Sequence, residues 1–189
     1  MSTTDAHKQL SEADKLWINA NLMTFEGSEP YGTLNNAVIA SKDGCISYIG
    51  SMTDSLLDTV SKLTRSQNIE VTDLQGKWLS PGLIDCHTHL IYGGNRSQEF
   101  EQRLTGVSYE EIARQGGGIL STVKATRAAS HEQLEASALK RIEHLLNEGV
   151  TTLEIKSGYG LDTETEIKML QVARTIAEKI PANVTTTFL

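Results

Sequence analysis

The chain has 189 residues, of which 39% are apolar and 22% charged, with a formal net charge of −7, the profile of a soluble globular protein long enough to bury a sizeable core. The acidic balance and the lack of a basic cluster argue against a nucleic-acid or anionic-membrane surface, and no apolar run approaches the ~20 residues of a membrane span. The polar start MSTTDAHKQLSEADK carries no apolar signal stretch. The separated cysteines, Cys45 and Cys86, read as free buried thiols of a reducing compartment, so the expected location is cytoplasmic.

Residues 1–14 read as a flexible leader. From Leu16 the run LWINANLMTF alternates weakly and predicts a strand. Two further apolar runs, 37–40 and 45–49, flank Lys42-Asp43-Gly44, and Asp-Gly is a strong hairpin signal because glycine tolerates positive φ. A short helix is expected over 53–65. Runs 69–74 and 77–79 flank Gln75-Gly76, which predicts a second hairpin. Residues 15–79 therefore read as a small antiparallel β unit that delivers the chain into Pro81.

The most informative stretch is PGLIDCHTHL, residues 81–90. After the Pro-Gly turn, the apolar start predicts a short buried strand over 83–89. Residues two apart on a strand share a face, so His87 and His89 project together, with Cα atoms about 6.6 Å apart at about 3.3 Å rise per residue. Two imidazoles so placed can both reach one metal ion at about 2.0–2.1 Å per nitrogen. Asp85, in phase with them, is expected to hold a ring N–H as a supporting carboxylate. Two solvated histidines at a strand end are the bland alternative, but two of only five histidines closing a buried strand favour the metal.

Beyond the histidines, residues 91–107 lack a clean period and read as a long loop. Ser108 with Glu111 forms a capping-box pattern that opens a short helix, stopped by Gly116-Gly117-Gly118. The trio reads as a turn; without a feeding strand or a following Gly-Lys-Ser/Thr it does not make a phosphate cradle. Ser130 and Gln133 cap a helix to about residue 148, with Leu134, Ala138, Ile142 and Leu145 as its buried stripe. His131 and His144 fall off that stripe and read as solvated. A strand follows over 150–155, then a helix over 163–180 opened by a Thr163–Glu166 capping box, with Ile167, Leu170, Ala173, Ala177 and Ile180 inward, and a final apolar run over 184–189. Lys156 and Glu154 lie two apart on one face, which predicts an inward ion pair in preference to a metal-bridging lysine.

The order is β-α-β-α-β, with parallel strands and right-handed crossovers expected. Three parallel strands leave bare apolar edges. The pattern therefore looks like a (β/α)8 barrel severed after its third strand, a complete small doubly wound sheet being the weaker option.

The phrase DLQGKWLSPGLIDCHTHL resembles the entry to a metal-dependent amidohydrolase barrel. With YGGNRSQEF, GGGILSTVKATRAAS and TTLEIKSGYGLD, the chain resembles the imidazolonepropionase family from about Leu16 to Leu189. That resemblance implies an α/β fold: residues 15–79 as the N-terminal part of a small antiparallel β-sandwich unit, and 80–189 as the first three strands of an incomplete (β/α)8 amidohydrolase barrel. It implies one zinc or iron ion held by His87 and His89, with a further histidine and an aspartate from later strands. It implies Arg96 and Tyr159 as substrate-binding residues, with a substrate histidine just past Leu189 and the catalytic groups unassigned within this chain. The implied reaction is hydrolytic opening of 4-imidazolone-5-propanoate to N-formimidoyl-L-glutamate in histidine degradation. The partner is a small molecule with a carboxylate tail, with no nucleic acid and no membrane; a homodimer is one option for a full-length protein whose oligomeric state the sequence does not give. Alternatives are another amidohydrolase acting on a nitrogen heterocycle, such as a deaminase, or an inactive truncated product; the isolated chain is expected to be inactive.

Overall fold

A computed structural model describes residues 3–66 and 69–189, and the chain divides between Pro81 and Gly82 into two units, each built on one sheet. The fold is α/β. Among the described residues no helix is long and apolar enough to cross a membrane.

In the first unit, β1 (Lys15–Met23), β2 (Thr33–Lys42) and β3 (Cys45–Ser51) form an antiparallel meander. The β2–β3 turn places Asp43 at φ 51° and Gly44 at φ 77°, the doubly positive geometry that Asp-Gly favours. The expected leader is not a free tail. Residues 1 and 2 lie outside the described residues, but Thr3–Ser11 forms helix α1. Ala6, Leu10 and Ala13 bury at helical spacing against Leu16, Val38 and Ala40, together with Leu56 and Val60 of α2 (Asp54–Ser66). The polar composition of the segment hides that three-residue stripe.

β1 alternates weakly because it changes face midway. The register with β2 slips between Trp17 and Ala20, at Asn19 (φ 53°), and again opposite Asn36 (φ 46°). Each slip inserts one unpaired residue and flips the side chains beyond it. Leu16 thus joins the cluster under the helices, while Ala20 and Leu22 pack with Ala37 and Ile39 in a second cluster.

The expected second hairpin is absent. Gln75 (φ 53°) and Gly76 (φ 79°) do make a tight turn, closed by Lys77 N–H to the Leu74 carbonyl at 2.9 Å. Its arms, β4 (Glu70–Asp73) and β5 (Trp78–Leu79), both pair parallel with β1 and not with each other. The Gly76 N–H donates to the Asn19 carbonyl at 2.7 Å, so the turn carries the edge strand past the bulge in its neighbour. The sheet is consequently mixed, not antiparallel, and among the described residues it is a single five-stranded layer, not two packed sheets.

In the second unit, β6 (Leu83–Thr88), β7 (Val150–Lys156) and β8 (Asn183–Thr187) form a parallel sheet in that order. Leu153 and Ile155 of β7 turn toward α6 (His131–Asn147) and α7 (Thr163–Ala177), meeting Leu134, Ala138 and Ile142 from one helix and Met169, Val172, Ala173 and Ile176 from the other. Both halves of the Ser130–Gln133 capping box form. Ser130→Ala is expected to cost about 1 kcal/mol of stability, read as a lower urea midpoint.

α7 differs from expectation. Its cap is Asp162, whose Oδ1 accepts from the Thr165 N–H at 2.7 Å, and the buried stripe keeps Ala173 from the predicted one but otherwise lies one position earlier, leaving Ile167 44% exposed. Between β6 and α6 the chain is more helical than expected. α3 (Ser97–Leu104) interrupts the predicted loop, α4 (Tyr109–Arg114) starts at Ser108 as predicted, and α5 (Ile119–Ala128) follows the glycine trio.

Candidate metal and substrate site

Among the described residues β6 is an edge strand, paired with β7 on one side only. Leu83 and Ile84 are therefore 56% and 69% exposed, where burial was expected, and only Thr88 of the strand is buried. Cys86 and Cys45 are free, as expected, but both are exposed.

The register of β6 with β7 slips twice, between Leu83 and Ile84 and again between Asp85 and Thr88. Asp85 pairs with Leu153 and Thr88 with Ile155, so two residues, Cys86 and His87, lie opposite Glu154 alone. Thr88 stays anchored through its hydroxyl, which donates to the Glu154 carbonyl at 2.7 Å. His87 and His89 flank Thr88 and share a face, with ring centroids 5.5 Å apart and ring planes inclined by 51°. The second slip takes Asp85 out of phase. Its carboxylate accepts the His87 backbone N–H at 3.3 Å, so it does not hold an imidazole as expected.

Glu154 is a carboxylate that feels the charge of His87, and sequence reasoning saw it only as a partner for Lys156. Lys156 does donate to it at 2.8 Å, and the Thr187 hydroxyl donates to the same oxygen. Burial pushes the Glu154 carboxyl up, but the hydrogen bonds from Lys156 and Thr187 and the charges of Lys156 and His87 outweigh it and hold the group below the ordinary carboxylate range. Its other oxygen is buried without a hydrogen-bond partner, as is Nδ1 of His89. Buried polar atoms are nearly always paired, so an unpartnered ring nitrogen on His89, one of the two histidines, fits a site completed by a cation. Among the described residues no group of three or more His, Cys, Asp or Glu side chains could hold a metal. His87 and His89 alone fall short of such a group.

The substrate candidates converge on the same end of the sheet. Tyr159 sits on the loop after β7, its ring centroid 5.5 Å from that of His89 and 5.7 Å from that of Tyr92. Tyr92, Asn95, Arg96, Thr122 and Tyr159 line one cleft of about 310 Å³. Arg96 Nε donates to the Thr122 hydroxyl at 3.0 Å, and Arg96 forms no ion pair among the described residues. Tyr92 is clamped from behind by Arg141, whose guanidinium lies 3.5 Å over the ring and donates to the Leu90 and Tyr92 carbonyls at 2.8 and 3.2 Å. Sequence reasoning missed Tyr92 and Thr122. The YGGNR phrase contained the first, but the second sits on α5, an element whose signal was masked by the glycines before it. His144 is exposed, as expected.

No protein-family model matches the sequence. Individual relatives do: the imidazolonepropionase of Colwellia psychrerythraea is 55% identical over 175 residues, 92% of this chain and 41% of that protein. That of Psychrobacter cryohalolentis is 49% identical over 199 residues, covering 95% and 46%. Over more than nine tenths of its length the chain is similar to imidazolonepropionases. It spans about two fifths of the length of the curated imidazolonepropionases it matches. Among solved structures, 5-methylcytosine deaminase from Klebsiella pneumoniae superposes with a TM-score of 0.55 at 19% identity, over 90% of this chain and 35% of that one. A metal-dependent hydrolase from Pyrococcus furiosus gives 0.55 at 14%, over 92% and 50%. At such identities the likeness is one of fold.

Proposed function

We propose that the chain carries the first metal-binding strand and part of the substrate cleft of an enzyme that hydrolyses the cyclic amide 4-imidazolone-5-propanoate to N-formimidoyl-L-glutamate. The observation that carries this reading is the meeting of Arg96 and Tyr159, far apart in sequence, in one cleft whose tyrosine ring abuts His89. A cation-binding pair next to a planar guanidinium and an aromatic face suits a small heterocycle with a carboxylate tail. The relatives' names support the same substrate.

In this reading His87 and His89 hold one zinc or iron ion, with further ligands from later parts of the protein. When bound, such an ion acidifies water into a nucleophile at neutral pH and polarises a carbonyl. Arg96 binds the propanoate by a two-point contact, and Tyr159 packs its ring face on the imidazolone. Glu154, kept ionised by Lys156 and Thr187, faces His87 with negative charge and favours its alignment toward a cation.

The finer architecture belongs to the same proposal. The polar face of β7, carrying Thr152, Glu154 and Lys156, and the exposed apolar edge at Leu83 and Ile84 are what a (β/α)8 barrel interior and an open barrel seam present. Residues 15–79 would supply one layer of a β-sandwich and 80–189 the first three barrel strands. Unpaired exposed thiols suit a reducing cytoplasm.

Turnover by the full-length protein tests the activity directly. It should consume 4-imidazolone-5-propanoate and leave adenine, guanine and cytosine analogues untouched, and prolonged chelation should abolish the reaction. Deamination of any of those bases at a comparable kcat/KM would replace this reading with the heterocycle aminohydrolase alternative.

A further inference from the structure

The loop that presents Tyr159 is built around a carboxylate that does not itself line the cleft. Glu166, in the first turn of α7, is 3% exposed. One of its oxygens accepts the Gly158 N–H at 2.5 Å, and the other accepts the N–H groups of Gly160 and Leu161, each at 2.7 Å. The donors lie on both sides of Tyr159, so the chain wraps around the carboxylate with the tyrosine at its apex. Glycine is needed at both flanks. Gly158 sits at φ 122°, and a Cβ on Gly160 would come within 2.8 Å of Thr165 Cβ and 2.9 Å of the Glu166 nitrogen.

A second restraint acts from outside. Arg127 Nε donates to the Gly160 carbonyl at 2.6 Å and lies 2.8 Å from Asp162 Oδ2, the carboxylate group that caps α7. The turn is thus held by its N–H groups on one side and by a carbonyl on the other, while the Tyr159 ring is left to meet His89 and Tyr92. A helix-capping role does not explain this arrangement, since Asp162 already fills the cap.

We propose that Glu166 is the positioning residue for Tyr159: it fixes the turn so that the tyrosine ring stands pre-formed against substrate beside His89. This rests on Tyr159 contacting substrate, and a three-way comparison separates the two claims. A glutamine at 166 keeps the size but presents an NH2 group where only acceptors fit, so one or more of the three N–H groups loses its partner.

In the full-length holoenzyme, Glu166→Gln is expected to raise KM about tenfold while kcat changes less than about twofold. Tyr159→Ala should do the same, and the double variant should be no worse than Tyr159→Ala alone, since residues acting through one another do not add. A general loss of stability would lower the active fraction, and hence kcat, with KM unchanged. An unchanged KM in Glu166→Gln beside a raised KM in Tyr159→Ala overturns the positioning role and leaves the substrate reading standing. Additive effects overturn it as well, because Glu166 would then act elsewhere. An unchanged KM in Tyr159→Ala overturns both. Should Glu166→Gln fold poorly, Arg127→Gln loosens the same turn from the exposed side and is read by the same cycle, with the same outcomes deciding.

Discussion

Replacing His87 with alanine is expected to remove metal and turnover together from the full-length protein. The expectation follows from how little redundancy the site has. The chain offers two imidazoles on one face, 5.5 Å apart between ring centroids, and no third His, Cys, Asp or Glu grouped with them among the described residues. Losing even a residue that merely supports a metal ligand costs about 10–100-fold in affinity or activity; losing one of the ligands themselves should cost more. Metal analysis after gel filtration should find less than about a tenth of an equivalent, against near one equivalent in the parent. His144→Ala, on the exposed side of α6, is the control and should retain both metal and rate. Full metal occupancy in His87→Ala would remove that histidine from the ligand set, whatever happened to the rate.

The histidine pair was legible because its information is local. Two residues apart on any strand share a face, and the Ser130–Gln133 box and the Asp43-Gly44 turn are likewise settled within four residues. What the sequence hid depends on partners distant in the chain. Asp85 falls out of phase because β6 slips against β7, and a register slip leaves no mark in the strand that carries it. Asn19 and Asn36 bulge together for the same reason. Glu166 reads as the far end of a capping box with Thr163, and its spacing allows that. The loop at 158–161 wins the carboxylate by offering three backbone donors, and Asp162 takes over the cap. β6 reads as buried because its residues are apolar, yet burial is a property of neighbours, and among the described residues β6 has one strand beside it where the pattern calls for two.

Arg96→Lys carries the second large effect, a rise in KM of roughly ten- to hundredfold, the range that follows from losing a hydrogen bond to a charged group at about 1.5–3 kcal/mol. The geometry gives the reason. Arg96 is tethered through Nε to the Thr122 hydroxyl at 3.0 Å, so the two terminal nitrogens of a planar group remain for a carboxylate, in the cleft shared with Tyr159. A lysine keeps the charge but has one nitrogen: it must give up the tether or the ligand, and it makes no two-point contact in either case. In the proposed substrate the propanoate is a side chain of the ring that reacts, so kcat should fall less than KM rises. Thr122→Val separates the two parts of the argument. It retains the guanidinium and removes only the tether, so KM should rise by less than in Arg96→Lys and salt should weaken binding more steeply. Were KM unchanged in Arg96→Lys, the arginine would be a structural partner of α5 alone, and recognition of the acid tail would have to come from a residue elsewhere in the protein.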